Sequence, residues 1–226
     1  MNIPIIYEDN DVLVIDKSAG LLVHPLTLLG ASPQKQITLI DILKQKYPTA
    51  QLVHRLDQDT SGLMVIAKNE KIAEWLKEQF KNRTIKKKYL ALVIGKFKDK
   101  KGIITKTISK SRKRGGRQTT APIGKRREAI TRYEVIKEYN DYSLLEVSPE
   151  TGRTHQIRVH LASIGHPIAG DEKYRFKRQD FPEHLKRQFL HANYLQFILP
   201  SGRIMKLQSN LPRDLKMVLE NLSTNI

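Results

Sequence analysis

Residues 54–68, His-Arg-Leu-Asp-Gln-Asp-Thr-Ser-Gly-Leu-Met-Val-Ile-Ala-Lys, run without a break from a charged, turn-forming cluster into an apolar strand. The apolar run Leu63–Ala67 needs a sheet to receive it, while His54, Arg55, Asp57 and Asp59 sit at its mouth. A carboxylate and a guanidinium on a loop so anchored are held still, as chemistry on a bound group requires. The same residues have a plainer reading, in which Asp57 is a turn carboxylate that caps the Asp59-Thr60-Ser61 bend.

Charge narrows the choice of partner. The 226 residues include 40 Lys plus Arg against 23 acidic residues, a net charge of +17. Such a surplus concentrates polyanions at the surface and points to nucleic acid rather than a small metabolite. The absence of cysteine excludes disulfides, thiolate metal sites and cysteine nucleophiles, and with them enzymes that attack uracil through a thiolate. No stretch approaches the roughly 20 apolar residues that span a bilayer. The N-terminus lacks the basic start and small-residue cleavage site of a secretory signal. A cytoplasmic protein with no membrane partner is expected, and no apolar seam argues for more than a monomer.

Local patterns place the elements. Ile5–Tyr7 and Val12–Ile15 flank the turn residues Glu8-Asp9-Asn10-Asp11 and predict an opening hairpin. Thr38 with Asp41 has capping-box spacing and begins a short helix ending near Tyr47-Pro48. Asn69 caps a second helix whose Ile72, Trp75, Leu76 and Phe80 share one face and are assigned to the core. Lys88–Gly95 is a strand, and Ile130–Ile136 with Tyr142–Val147 forms a strand pair. Between them, residues 96–132 carry fourteen Lys or Arg against only Asp99 and Glu128. That composition predicts a surface loop or ribbon over about 96–127 that buries nothing and contacts RNA, centred on Arg112, Lys113, Arg114 and Arg117. Thr154 is the expected cap of a helix with Ile157, Leu161 and Ile164 as its stripe, stopped by Gly165 and Pro167. Leu190–Leu199 is a strand closed by a Pro200-Ser201-Gly202 turn, and a helix over about 212–222 buries Leu215, Val218, Leu219 and Leu222. The whole reads as one α+β domain over residues 1–226, its central sheet mostly antiparallel and flanked by helices and loops.

Three clusters carry chemistry: the 54–68 stretch, Tyr89 at the head of its strand, and residues 151–160. His155 and His160 are five apart with no acidic residue between them, which is not metal-ligand spacing, so no metal is expected. Arg158 flanks the helix stripe, and a guanidinium reaching inward needs an acidic partner, for which Asp57 is the candidate. Arginine would keep that carboxylate ionised and oriented, as attack at a sugar carbon demands. Arg55 serves either as a phosphate contact or inside a base stack. Tyr89, following Lys86-Lys87-Lys88, is either core or a platform for a base.

His54-Arg55-Leu56-Asp57 with Thr60-Ser61-Gly62-Leu63 resembles the signature of the RluA family of pseudouridine synthases. Asp16–Leu21 with His24-Pro25, Lys88-Tyr89-Leu90-Ala91, Thr151–Leu161, Gly165–Ile168, Gly170-Asp171 and Leu190-His191-Ala192 also resemble that family's motifs, in order along nearly the whole chain. Departures are small: Ser18 stands where proline is common, and Leu199-Pro200 where His-Pro is frequent. The basic insertion has no template in the family, and no separate N-terminal RNA-binding domain is expected ahead of the first hairpin. The resemblance implies a pseudouridine-synthase-like fold and isomerisation of uridine in ribosomal or transfer RNA, with no cofactor, small molecule or metal. It implies Asp57 as the catalytic aspartate, Arg158 as its ion-pair partner and Tyr89 stacked on the uracil. Arg55 would fill the space of the rotated base, with His54 and Arg153 on the RNA side. Two competing classes remain: a non-catalytic RNA-binding protein on the same fold, and a glycosidase using Asp57 and Asp59.

Overall fold

The computed structural model describes residues 3–24, 36–111, 117–121, 124–177 and 180–224. In chain order the first elements are β1 (Ile5–Glu8), β2 (Val12–Lys17), α1 (Leu39–Lys46), β3 (Gln51–Leu52), β4 (Ser61–Ala67) and α2 (Glu70–Lys81). Next come β5 (Lys86–Ile94), β6 (Lys101–Ile104), β7 (Ser109–Lys110), β8 (Gln118–Thr119), β9 (Thr131–Glu138) and β10 (Tyr142–Pro149). The chain ends with α3 (Gln156–Ser163), β11 (Leu190–Ile198), β12 (Ile204–Gln208) and α4 (Arg213–Thr224). Helices joined to mostly antiparallel strands make the class α+β, as expected. Two compact units emerge, Met1–Ile85 with Leu195–Ser209, and Lys86–Tyr194 with Asn210–Ile226. The first five residues of β11 thus belong to the second unit and its last four to the first.

In the first unit, β2 pairs antiparallel with both β1 and β4. The β1–β2 turn is set by Asp9, whose Oδ1 accepts from the Asp11 and Val12 amides at 2.8 and 2.7 Å. Val12–Ile15 and the whole of β4 are buried, so these runs are apolar on both faces rather than alternating. The capping box on α1 is present, with Asp41 accepting from the Thr38 amide at 3.0 Å. Asn69 Oδ1 accepts from the Ile72 amide at 3.0 Å and starts α2, a cap worth about 1 kcal/mol. Ile72, Ala73 and Leu76 of α2 meet Val65 of β4 and Leu195, Phe197 and Met205 of β11 and β12 in one apolar core. Trp75 departs from its assignment to that core: it is 43% exposed, and its indole donates to the Ile198 carbonyl at 2.9 Å. Helical period locates a stripe but not its edge, and an indole N–H favours the wet edge.

In the second unit, β10 pairs antiparallel with β5 and β9, and β9 with β6. The expectation that the basic insertion buries nothing is overturned. Phe97, Ile104, Ile108 and Ser109 are all buried, β6 joins the sheet, and β7 pairs with β8. A few apolar side chains turn inward from an otherwise charged segment, Ile104 being buried while its neighbour Ile103 faces out, which a count of charges does not show. Arg112, Lys113 and Arg114 lie outside the described residues. Helix α3 starts one residue later than expected: its cap is His155 in the left-handed region at φ 53, not Thr154. Leu215 and Val218 of α4 are buried, while Leu219 and Leu222 are only half-buried. Among the described residues no helix is long and apolar enough to cross a membrane.

Candidate functional site

The loop before β4 is fixed chiefly through backbone groups. His54 Nε2 accepts from the Val65 amide at 3.0 Å, so the neutral ring carries its proton on Nδ1. The same ring packs on Phe80, centroids 4.8 Å apart. Arg55 is exposed while Leu56 is buried, so the chain alternates out and in before reaching the half-buried Asp57. The Asp57 carbonyl accepts from the Thr60 amide at 3.1 Å and closes the turn, with Thr60 and Ser61 buried behind it. Burial, reinforced by the Arg55 charge, lowers the pKa of the nearby His24.

The sequence does not single out Lys17, which is 0% exposed at the end of β2. Its ammonium donates to three carbonyls, those of Ser18 at 2.8 Å, Leu21 at 2.9 Å and Gln58 at 2.8 Å. The Gly20 amide also donates to the Gln58 carbonyl at 3.0 Å, and Gln58 Nε2 returns a bond to the Gly20 carbonyl at 3.1 Å. Gly20 has φ 83, which favours glycine. One buried cation therefore fastens residues 18–21 to the residue immediately after Asp57. The signal was in the Asp16–Leu21 motif, but no pattern marks a lysine as buried.

In the second unit, Tyr89 is largely buried on β5, opposite Val147 of β10. Lys87, two residues earlier, shares its strand face. Burial lowers the Lys87 ammonium to about 8. A side chain at Gly152 would begin 3.9 Å from Lys87 Nζ.

Helix α3 is entered through a knot of side chains. Thr151 Oγ1 donates to Gln156 Oε1 at 2.7 Å, which also accepts from the Arg153 amide at 3.0 Å. Gln156 Nε2 donates to the Ile130 carbonyl and to Thr131 Oγ1, each at 3.0 Å. Arg153 Nε donates to the Glu128 carbonyl at 3.0 Å. The fully buried His160 lies 2.8 Å from the Lys106 carbonyl through Nε2 and 2.9 Å from Thr131 Oγ1 through Nδ1. A ring that donates to a carbonyl and accepts from a hydroxyl is neutral, and burial lowers its pKa accordingly. His155 Nδ1 lies 2.9 Å from the Tyr174 hydroxyl. Both histidines thus have protein partners, and no group of three or more metal-ligating side chains occurs among the described residues.

Arg158 has an acidic partner that the sequence reading does not include. Its Nε and Nη2 donate to Asp171 Oδ2 and Oδ1 at 2.7 and 2.9 Å, both residues being buried. Asp171 Oδ1 also accepts from the Lys173 and Tyr174 amides at 2.9 and 3.1 Å. A buried carboxylate that receives this many donors holds the guanidinium plane in one orientation. The chain reaches Asp171 through Gly170, at φ 76, where a Cβ would stand 2.1 Å from the Arg187 carbonyl oxygen. Gly170-Asp171 was visible as a motif, but its partner lies thirteen residues earlier, and spacing alone does not reveal such a pair.

The pattern of a known family, RNA pseudouridylate synthase, matches residues 11–163. That span holds the Asp57 loop, Tyr89 and Arg158, and ends before Asp171. The uncharacterized RNA pseudouridine synthase YlyB of Bacillus subtilis is 39% identical over all of this chain and 74% of its own length. Ribosomal large subunit pseudouridine synthase D of Nitrosomonas europaea is 41% identical over 96% of this chain and 64% of its own. Among solved structures, human RNA pseudouridylate synthase domain containing 1 superposes with a TM-score of 0.79 at 26% identity. It covers 99% of this chain and 94% of that one. The chain belongs to the RluA-type family of RNA pseudouridine synthases. It is an isomerase that acts on RNA, turning uridine into pseudouridine. It spans between about two thirds and three quarters of the length of the curated relatives it matches.

Proposed function

We propose that this chain isomerises specific uridines of ribosomal RNA, with transfer RNA as the second choice, and that Asp57 is its catalytic aspartate. The ribosomal preference is supported by relatives named ribosomal large subunit pseudouridine synthase D and C. In the reaction the N-glycosidic bond breaks, the uracil turns, and C5 bonds to the ribose anomeric carbon; the C5 proton then leaves and N1 gains a proton, so the product is an isomer of uridine. Asp57 acts either by attacking the anomeric carbon or by assisting base departure through the sugar. Tyr89 stacks on the uracil and takes part in the final proton removal. Arg158 is the electrostatic partner of the reacting carboxylate.

The target base has to leave its stack, at a cost of a few kcal/mol. Arg55, exposed beside the aspartate, is suited to fill the vacated space. Arg153, His54 and the basic residues Arg112, Lys113, Arg114 and Arg117 supply RNA contacts. The two units serve as one catalytic domain, monomeric and cytoplasmic, with no cofactor.

The observation that carries this reading is the clamping of the Asp57 turn by Lys17, which restrains a carboxylate-bearing loop far more than a surface turn requires. Asp57→Asn should remove pseudouridine formation while RNA affinity stays within about threefold, since no phosphate contact is lost. Position-resolved carbodiimide mapping reads the product. Residual turnover by the variant would displace Asp57 from its role, and release of free uracil by the native protein would establish a glycosidase instead.

A further inference from the structure

Tyr174 is a junction that neither the proposed chemistry nor RNA binding has used. Its ring lies under the Arg158 guanidinium, 5.2 Å from centroid to Cζ, and also under that of Arg117 at 5.4 Å. Its hydroxyl accepts from the Gln118 amide of β8 at 2.9 Å and meets His155 Nδ1, at the entry to α3, also at 2.9 Å. Its own amide donates to Asp171 Oδ1, the oxygen that receives Arg158 Nη2. The ring also packs with Ile108 of the basic insertion and Val159 of α3 in a small apolar cluster. One side chain therefore touches the root of the basic ribbon, the cap of α3 and the arginine of the proposed site.

We propose that Tyr174 is a positioning residue with two separable duties: its ring face orients Arg158 for the isomerisation, and its hydroxyl ties the basic ribbon to α3 in an RNA-binding posture. The first duty rests on the reading of Arg158 as part of the reacting site; the second rests on the ribbon as an RNA contact. The division follows from the geometry, because the cations lie over the π face while the hydrogen bonds are at the ring's far end.

Two substitutions separate the duties. Tyr174→Phe keeps the ring and removes the hydroxyl. It should leave kcat within about twofold and raise KM for RNA roughly three- to tenfold, the worth of one or two lost hydrogen bonds. Tyr174→Leu removes the ring as well and should lower kcat about tenfold, as expected for loss of a desolvated cation–π contact. A Tyr174→Leu protein with native kcat, or a Tyr174→Phe protein that loses as much kcat as Tyr174→Leu, would overturn the division.

If Tyr174→Leu fails to fold, Arg117→Ala gives a second route. It should raise KM, and the double variant with Tyr174→Phe should be no worse than the weaker single, whereas additive losses would overturn the tie. Orientation can also be read without turnover, from the ring-current shift of the Arg158 Nε–H resonance, identified by its loss in Arg158→Lys. The shift should survive in Tyr174→Phe and vanish in Tyr174→Leu, and an unmoved resonance would overturn the ring's role. A native protein inert on RNA would sink the uridine reading, yet this resonance would still report on Tyr174.

Discussion

The loop of residues 54–61 and the segment from Thr151 to Tyr174 both present a charged group in a fixed place, but they are built by opposite means. Around Asp57 the restraint is chiefly side chain to backbone, with one buried ammonium gathering three carbonyls. Around Arg158 it is side chain to side chain, through Gln156, Asp171 and Tyr174. Carbonyls are present whatever the residue, so the first design tolerates change at most positions except the cation. The second depends on each named side chain and fails if one of a buried pair is lost.

Three substitutions test that contrast, in falling order of effect. Asp171→Ala should destabilise the protein by about 3–5 kcal/mol, because Arg158 then loses a buried bidentate carboxylate. Chemical denaturation measures this, and a loss under about 1 kcal/mol would mean that the pair is not what holds α3. Lys17→Met keeps the volume and removes three charge-assisted hydrogen bonds, for a loss of about 2–3 kcal/mol. Faster amide exchange should be concentrated at Gly20 and Thr60; loosening spread evenly over the first unit would break the idea of a local clamp.

Lys87→Met should have the smallest effect and a sign that depends on pH. Burial lowers the Lys87 pKa to about 8 from 10.5. Below about pH 8 both folded and unfolded chains carry the proton, and the folded chain bears the full cost of a buried charge. Between about 8 and 10.5 the folded chain has released the proton and the unfolded chain still holds it, so the cost fades as pH rises. The variant should therefore gain most over the native protein near neutral pH and converge with it toward pH 10, as read by denaturation midpoints. An advantage that grew with pH would reverse the assignment.

What could be read from the chain beforehand divides along the same line. The Thr38–Asp41 box, the Asn69 cap and the β9–β10 pair depend on neighbours within a few residues, and each appears as expected. The Asp57 turn was legible because its chemistry lies within 54–61. Lys17 was not, since its acceptors include Gln58, forty-one residues on. Asp171 was visible within a motif, but its pairing with Arg158 was not, and Tyr174 escaped altogether. The cap of α3 was missed because a histidine in the left-handed region carries no compositional mark. In the basic insertion, the density of charge hid the few apolar residues, Ile104 and Ile108 among them, that turn inward.

The discontinuous course of the first unit has a consequence for its birth on the ribosome. Leu195, Phe197 and Met205 complete the core that Val12, Val14, Leu63 and Val65 begin, yet they are translated only after the entire second unit except its last segment. At roughly 5–20 residues per second, Val65 waits on the order of 10 s for Phe197. During that interval the apolar residues of β2 and β4 have α2 to pack against but not Leu195, Phe197 and Met205, so this core is closed only late in synthesis.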